Sequence, residues 1–236
     1  MILKETFAVT VLFMILLSNI RNVSCQSLQY EIVNDTIFES DWEIPAGSTV
    51  IIKPGVNIQF QGYQTIVIQG IIIAKGTASE KIKFSSVSQS PNTVSPLSWK
   101  GFYIIGKDAN AQFKHCCFDG AYKNVVWAAQ PSFDSCEFTN NYYGLYCTRM
   151  AAPFVKNCKF VKNTFGITID YATPLLSGNL ITENKTGLYL QTSAHVTIDN
   201  NEIHTNGKNI FSEATSEKSN STTSIQRFWN LFRELF

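Results

Sequence analysis

The chain has 236 residues, of which 44% are hydrophobic, 13% aromatic and only 16% charged, well under the charged quarter usual for a soluble domain. Extended disorder and long helical repeats are excluded. Lys and Arg total 19 against 18 Asp and Glu, a formal net charge of +1, so no basic field exists to hold nucleic acid and no acidic tract to gather cations.

Residues 1–24 read as a secretory signal peptide. Lys4 precedes an apolar run, Phe7 to Leu17, and a polar stretch from Ser18 to Ser24 follows; the run is too short to span a bilayer. A signal anchor is the alternative, because the small-residue cleavage pattern is only Val23-Ser24-Cys25. Cleavage after Ser24 makes Cys25 the first residue and a candidate for lipidation, although Asn22 stands where a lipoprotein signal has Leu. Removing Lys4, Glu5 and Arg21 leaves 17 charges of each sign, and export implies a secreted or extracellular-surface protein in an oxidising compartment. Asn34, Asn184 and Asn220 open Asn-x-Thr sequons and are candidate glycan acceptors.

Residues 25–47 carry apolar Ile32, Val33, Ile37, Phe38, Trp42 and Ile44 and are read as an N-terminal cap, needed because a stack of strands has open edges. Residues 48–211 repeat. Phe113-x-x-Cys116-x-Phe118, Phe133-x-x-Cys136-x-Phe138, Val155-x-x-Cys158-x-Phe160, Leu176-x-x-Asn179-x-Ile181 and Ile198-x-x-Asn201-x-Ile203 follow at offsets of 20, 22, 21 and 22. In the same register come Asn124-Val-Val-Trp127, Gly144-Leu-Tyr-Cys147, Gly166-Ile-Thr-Ile169, Gly187-Leu-Tyr-Leu190 and Asn209-Ile-Phe211. Upstream, Ser48 to Gly55 recurs as Gly70 to Thr77. Each unit holds short alternating runs separated by Asn, Gly, Pro or Ser. That period, with no helical stretch, fits coils of three short strands stacked as a right-handed parallel β-helix, an all-β solenoid of about 20–22 residues per coil.

The stacked Cys116, Cys136 and Cys158 are read either as an interior ladder continuing into Asn179 and Asn201 or as the source of one inter-coil disulfide, since coils lie about 4.8 Å apart. Cys147 falls in the column of Trp127, Ile169 and Leu190 and is read as a buried hydrophobe. There is no Cys-x-x-Cys, and His115, His195 and His204 lack ligand spacing, so neither metal nor cofactor is expected. Lys114, Asp134, Lys156, Ser177 and Asp199 share an outward column, a solvated charge ladder. If Leu145, Ile167 and Leu188 point inward, Tyr146, Thr168 and Tyr189 point outward with Asp170 and Gln191 beside them, and Arg149, Tyr171, Tyr142 and Tyr143 at the rim. Aromatic rings next to planar hydrogen-bonding groups suit a polysaccharide or surface glycan.

Residues 212–224 form a Ser/Thr-rich linker. Beyond it, residues 225–236 place Ile225, Phe228, Trp229, Phe232, Leu235 and Phe236 at helical spacing, an amphipathic helix that either folds back as a cap or contacts a membrane interface.

The segments Asp41 to Val50, Pro54 to Phe60, Ala74 to Thr77 and Ser98 to Gly101 resemble the opening coils of secreted right-handed β-helix proteins, and residues 113–211 resemble the generic repeat of the carbohydrate-binding and sugar-hydrolysis class. The resemblance covers roughly residues 40–211. It implies a pectate-lyase-like fold, but its members range from lyases and epimerases to adhesins and structural modules. A lyase of that type holds calcium with several carboxylates and uses a Lys or Arg base; here the outer face offers Asp170 and Arg149 as catalytic candidates. The reading is a non-catalytic module binding glycans or other extracellular partners. The alternatives are a small polysaccharide lyase or glycoside hydrolase acting on an acidic polysaccharide, and a plain structural spacer.

Overall fold

A computed structural model describes residues 28–87, 98–191 and 194–213. The signal segment 1–24, Cys25, Asn220 and the helix expected over 225–236 lie outside the described residues, as does all but the start of the linker.

Among the described residues, twenty-four strands form eight coils. Coil 1 is β1 (Gln29–Ile32), β2 (Thr36–Phe38) and β3 (Trp42–Ile44); coil 2 is β4 (Thr49–Ile52), β5 (Asn57–Phe60) and β6 (Thr65–Ile68); coil 3 is β7 (Ile71–Lys75), β8 (Ile82–Ser86) and β9 (Gly101–Ile105). Coil 4 is β10 (Asn110–Lys114), β11 (Cys116–Asp119) and β12 (Lys123–Trp127); coil 5 is β13 (Ser132–Asp134), β14 (Glu137–Thr139) and β15 (Tyr143–Thr148). Coil 6 is β16 (Phe154–Lys156), β17 (Lys159–Val161) and β18 (Phe165–Asp170); coil 7 is β19 (Leu175–Ser177), β20 (Leu180–Thr182) and β21 (Thr186–Leu190); coil 8 is β22 (Thr197–Asp199), β23 (Glu202–Ile203) and β24 (Lys208–Ser212). The first, second and third strands of the coils stack into three eight-stranded sheets, A, B and C. Every strand pair is parallel, β1 with β4 and β3 with β6 included. The stretch expected to be a cap therefore contributes the first coil itself.

The interior follows from side-chain alternation. Phe84, Phe118, Phe138, Phe160, Ile181 and Ile203 stand in one column of sheet B, with successive Phe rings stacked at 4.7–4.9 Å, the spacing of the coils themselves. Phe113, Phe133, Val155, Leu176 and Ile198 form the matching column of sheet A.

Two polar ladders fill the corners. After sheet A, Cys136 N donates to Cys158 Sγ, Cys158 N to Asn179 Oδ1, and Asn179 N to Asn201 Oδ1. Cys116, Cys136 and Cys158 are free thiols inside this ladder, and burial raises the pKa of Cys136 and Cys158. After sheet B runs an asparagine ladder that the repeat alignment passed over. Asn141, Asn163, Asn184 and Asn206 each accept, on Oδ1, the backbone N–H of the residue one coil earlier, and each donates Nδ2 to a carbonyl of the coil before. These bonds satisfy backbone groups that the turns leave unpaired in a dry interior.

The ladder corrects one expectation. Asn184 is 2% exposed and its Nδ2 donates to Phe160 O, Thr182 O and Asn206 Oδ1, so it is no glycan acceptor in the folded coil. Asn34 lies exposed in the turn between β1 and β2.

Sheet C holds the second correction. Lys123 pairs with Tyr143, but Val125 pairs with Tyr146, and the slip between Lys123 and Val125 marks a β-bulge. Cys147 accordingly pairs with Val126, and Trp127 pairs with Thr148. Cys147 is buried, as expected, whereas Trp127 turns out to solvent, because a one-residue slip exchanges the two faces.

Candidate functional site

The bulge creates the site. In coil 5, Gly144 and Leu145 both face the interior: a Cβ on Gly144 would meet Gly166 O, the Phe160 ring and Asn163. Tyr143 and Tyr146, three apart, therefore share the outer face. The same shape recurs in coils 6 and 7, because Gly166 and Gly187 would set a Cβ at 2.6 Å and 2.5 Å from the next coil's carbonyl; only glycine permits that approach. Two outward rows result. One is Lys123, Tyr143, Phe165, Thr186 and Lys208; the other is Tyr103, Val125, Tyr146, Thr168, Tyr189 and Phe211.

The rings pack on one another. Tyr143 stacks on Phe165 at 5.0 Å and meets Tyr146 edge-on at 5.5 Å. Tyr189 lies edge-on to Phe165 and stacked on Phe211, and Tyr122 stacks on Tyr142. Lys123 Nζ sits 3.5 Å from the Tyr146 ring centre and 5.0 Å from that of Tyr143, and Lys208 Nζ lies 4.6 Å from the Phe211 centre, cations on aromatic faces. Burial pulls the Lys123 ammonium below the ordinary lysine value, with Asp170 opposing.

A hydrogen-bonding row runs beside the rings. Asp170 Oδ2 accepts from Tyr146 OH at 2.9 Å and Thr148 Oγ1 at 3.0 Å. With its amide nitrogen turned to the carboxylate, Gln191 donates to Asp170 Oδ1 at 2.6 Å. Burial, then the bond to and charge of Asp170, push the Tyr146 phenol well above its usual value. Tyr189 OH repeats the motif one step on, donating to Glu213 Oε1 at 2.7 Å; that bond, then burial, raises its pKa. Extending the strand register by one residue sets Gln191 beside Asp170 and Glu213 beside Gln191.

The repeat columns hide Glu213, because by sequence the last repeat ends at Phe211 and Ser212 opens the Ser/Thr-rich stretch. Counting 24 residues on from a tyrosine, 146 to 170 and 189 to 213, would have found it. Of the expected glycan-contacting residues, Tyr146, Asp170, Tyr189 and Gln191 share this face, half-buried and already bonded to one another or to Glu213. Thr168 lies between Tyr146 and Tyr189 in register and is only 2% exposed, its hydroxyl without a partner. Arg149 stands apart from this arrangement, its guanidinium 5.1 Å from the centre of Trp127.

Residues 101–229 match a family described as right handed beta helix region. No curated protein matches the chain.

Proposed function

The chain belongs to the right-handed β-helix family, and from that premise we propose that it is a secreted or surface-attached module that binds glycan chains along the outer face of sheet C without chemistry. The observation that carries the reading is the continuous aromatic strip from Tyr122 to Phe211, bordered by the polar row Thr148, Asp170 and Gln191. It runs parallel to the solenoid axis over five coils, about 19 Å at the spacing of stacked strands. Sugar rings offer apolar faces to aromatics and hydroxyls to carboxylates and amides. Lys123 and Lys208 at the two ends of the strip favour polymers bearing carboxylates or sulfates.

A second reading rests on Asp170 and Glu213. Two coils apart, their backbones are separated by about 10 Å, just above the ~6.5–9.5 Å between the two carboxyl groups that hydrolyse a glycosidic bond with inversion. Each, however, is held by a tyrosine, and Asp170 takes donors on both oxygens.

Calorimetric titration against neutral and acidic polysaccharides separates the two. Binding should weaken about tenfold or more for Tyr143→Ala combined with Tyr189→Ala and persist in Asp170→Asn. No binding to any polymer, or binding indifferent to both tyrosines, would sink the first reading. Release of reducing ends that stops with Glu213→Gln would establish the second.

A further inference from the structure

Nine large apolar side chains are exposed among the described residues, and five of them, Trp127, Met150, Phe154, Tyr171 and Leu175, cluster where sheet C turns into sheet A in coils 4 to 7. Their exposure runs from 38% at Leu175 to 69% at Met150. They stand in two rows along the solenoid axis. Trp127, Met150 and Tyr171 end or follow strands of sheet C, and Met150 N donates to Tyr171 O of the next coil. Phe154 and Leu175 begin strands of sheet A and are register neighbours. The turns between the rows are Ala151-Ala152-Pro153 and Ala172-Thr173-Pro174, of which Ala151, Pro153, Ala172 and Pro174 are buried and Thr173 is exposed, so a shallow trough lined mostly by small residues separates the two apolar rows.

We propose that this trough is the docking site of the chain's own residues 225–236. The chain leaves the solenoid at the same corner: β24 is the last strand of sheet C, and Ser212 sits one coil from Leu190 and two from Ile169. Tyr171 is therefore about 10 Å along the axis from the exit and Met150 about 14 Å. The eleven residues 214–224 reach roughly 36–40 Å when extended, ample for the segment to return to coils 5 to 7. Its apolar residues Phe228, Phe232 and Leu235 are spaced i, i+4, i+7. In the helix that this spacing predicts, a turn of about 5.4 Å would nearly match the coil repeat of about 4.8 Å, so that successive apolar side chains would meet successive coils. The segment is local and covalently tethered, which favours it over a partner from solution through its effective concentration. Large exposed apolar patches mark such contacts.

Limited trypsin digestion of the full chain tests the proposal, with cleavage sites read by mass spectrometry. Cleavage after Arg227 and Arg233 should be slowed at least tenfold relative to Lys218 in the linker. It should speed up by a similar factor in Phe154→Ser/Leu175→Ser, and equally in Phe228→Ser/Phe232→Ser, with the circular-dichroism melt of the solenoid unchanged. Three outcomes overturn the proposal. Arg227 and Arg233 are cut as fast as Lys218; or protection survives the Phe154/Leu175 pair and falls with Ile198→Ser/Ile203→Ser at the open end of coil 8; or protection arises only when vesicles of anionic phospholipid are added.

Discussion

Replacing Asn163 tests what holds successive coils together. Its Oδ1 accepts Asn141 N at 2.9 Å and Asn141 Nδ2 at 3.0 Å, and its Nδ2 donates to Phe138 O and Asn184 Oδ1, both at 2.9 Å, all at 3% exposure. In Asn163→Ala, Asn141 Nδ2 keeps Phe118 O and Asn184 Oδ1 keeps the Asn163 backbone N–H. The Asn141 backbone N–H loses its partner, at about 1–3 kcal/mol, and the bond to Phe138 O is lost, at about 0.5–1.5 kcal/mol. The sum is about 1.5–4.5 kcal/mol, or a fall in Tm of roughly 3–18 °C for a domain of this size. Asn163→Asp sharpens the test, because its second oxygen would face two acceptors, Phe138 O and Asn184 Oδ1. The buried carboxyl is then raised above its unfolded value of about 3.9. Stability relative to wild type is highest below that value and is lost as pH rises through the folded pKa. Urea unfolding of wild type and both variants at pH 4.5 and 7.5 reads this out. A cost below 1 kcal/mol for the alanine variant, or an aspartate variant that recovers nothing on acidification, would refute the ladder as the coupling between coils.

Cys117 carries the second prediction. It is the only half-buried cysteine among the described residues, the other four being buried, and burial, followed by the charges of Glu137 and Asp119, pushes its thiol up to about 12. At pH 8 the thiolate fraction is then about 900-fold below that of a thiol of pKa 9, offset about 15–30-fold by the greater nucleophilicity of a more basic thiolate. Iodoacetamide should alkylate Cys117 in the folded protein, read by peptide mass spectrometry, roughly 30–60-fold more slowly than a model thiol, and a rate equal to the model's would show that Cys117 is not shielded. The third concerns the sequons: in a glycosylating secretory host, Asn34→Gln should lose one glycan mass, whereas Asn184→Gln should lose stability and no glycan. A glycan recovered on Asn184 of folded protein would contradict the ladder.

The solenoid was legible because each coil must place an apolar residue at the same angular position, and stacking turns that demand into columns of the sequence. The columns of Phe118 and Phe113 needed only counting. The bulge was not legible. Aligning Gly144 with Asn124 preserved the spacing but put Trp127 in the column of Cys147, and only the pairing of Val125 with Tyr146 shows the slip that turns the indole outward. Asn184 shows a different failure, since a sequon and an interior amide ladder use the same letter. The signal that decides is its position three residues after Ile181, matching Asn141 after Phe138, Asn163 after Phe160 and Asn206 after Ile203. The outward tyrosines were legible from alternation, whereas their closure onto Asp170 and Glu213 depends on side-chain reach, which strand period does not encode.

Most of the side-chain bonds between coils join residues 20–25 apart, as in Asn57 to Asp35, Ala121 to Asn141, Tyr146 to Asp170 and Tyr189 to Glu213. Some bonds reach further, as from Lys81 to Glu137 across 56 residues and from Cys116 to Ala74 across 42, but the one-coil spacing prevails among the side-chain bonds of the described residues. A polypeptide emerging from a ribosome or a translocation channel can close coil 1 and lay each later coil on a finished template, so growth is vectorial and each nascent edge is covered within about one period of synthesis. Trapping of half-made chains should then rise with the length of the corner between β8 and β9, where the return to sheet C takes longest.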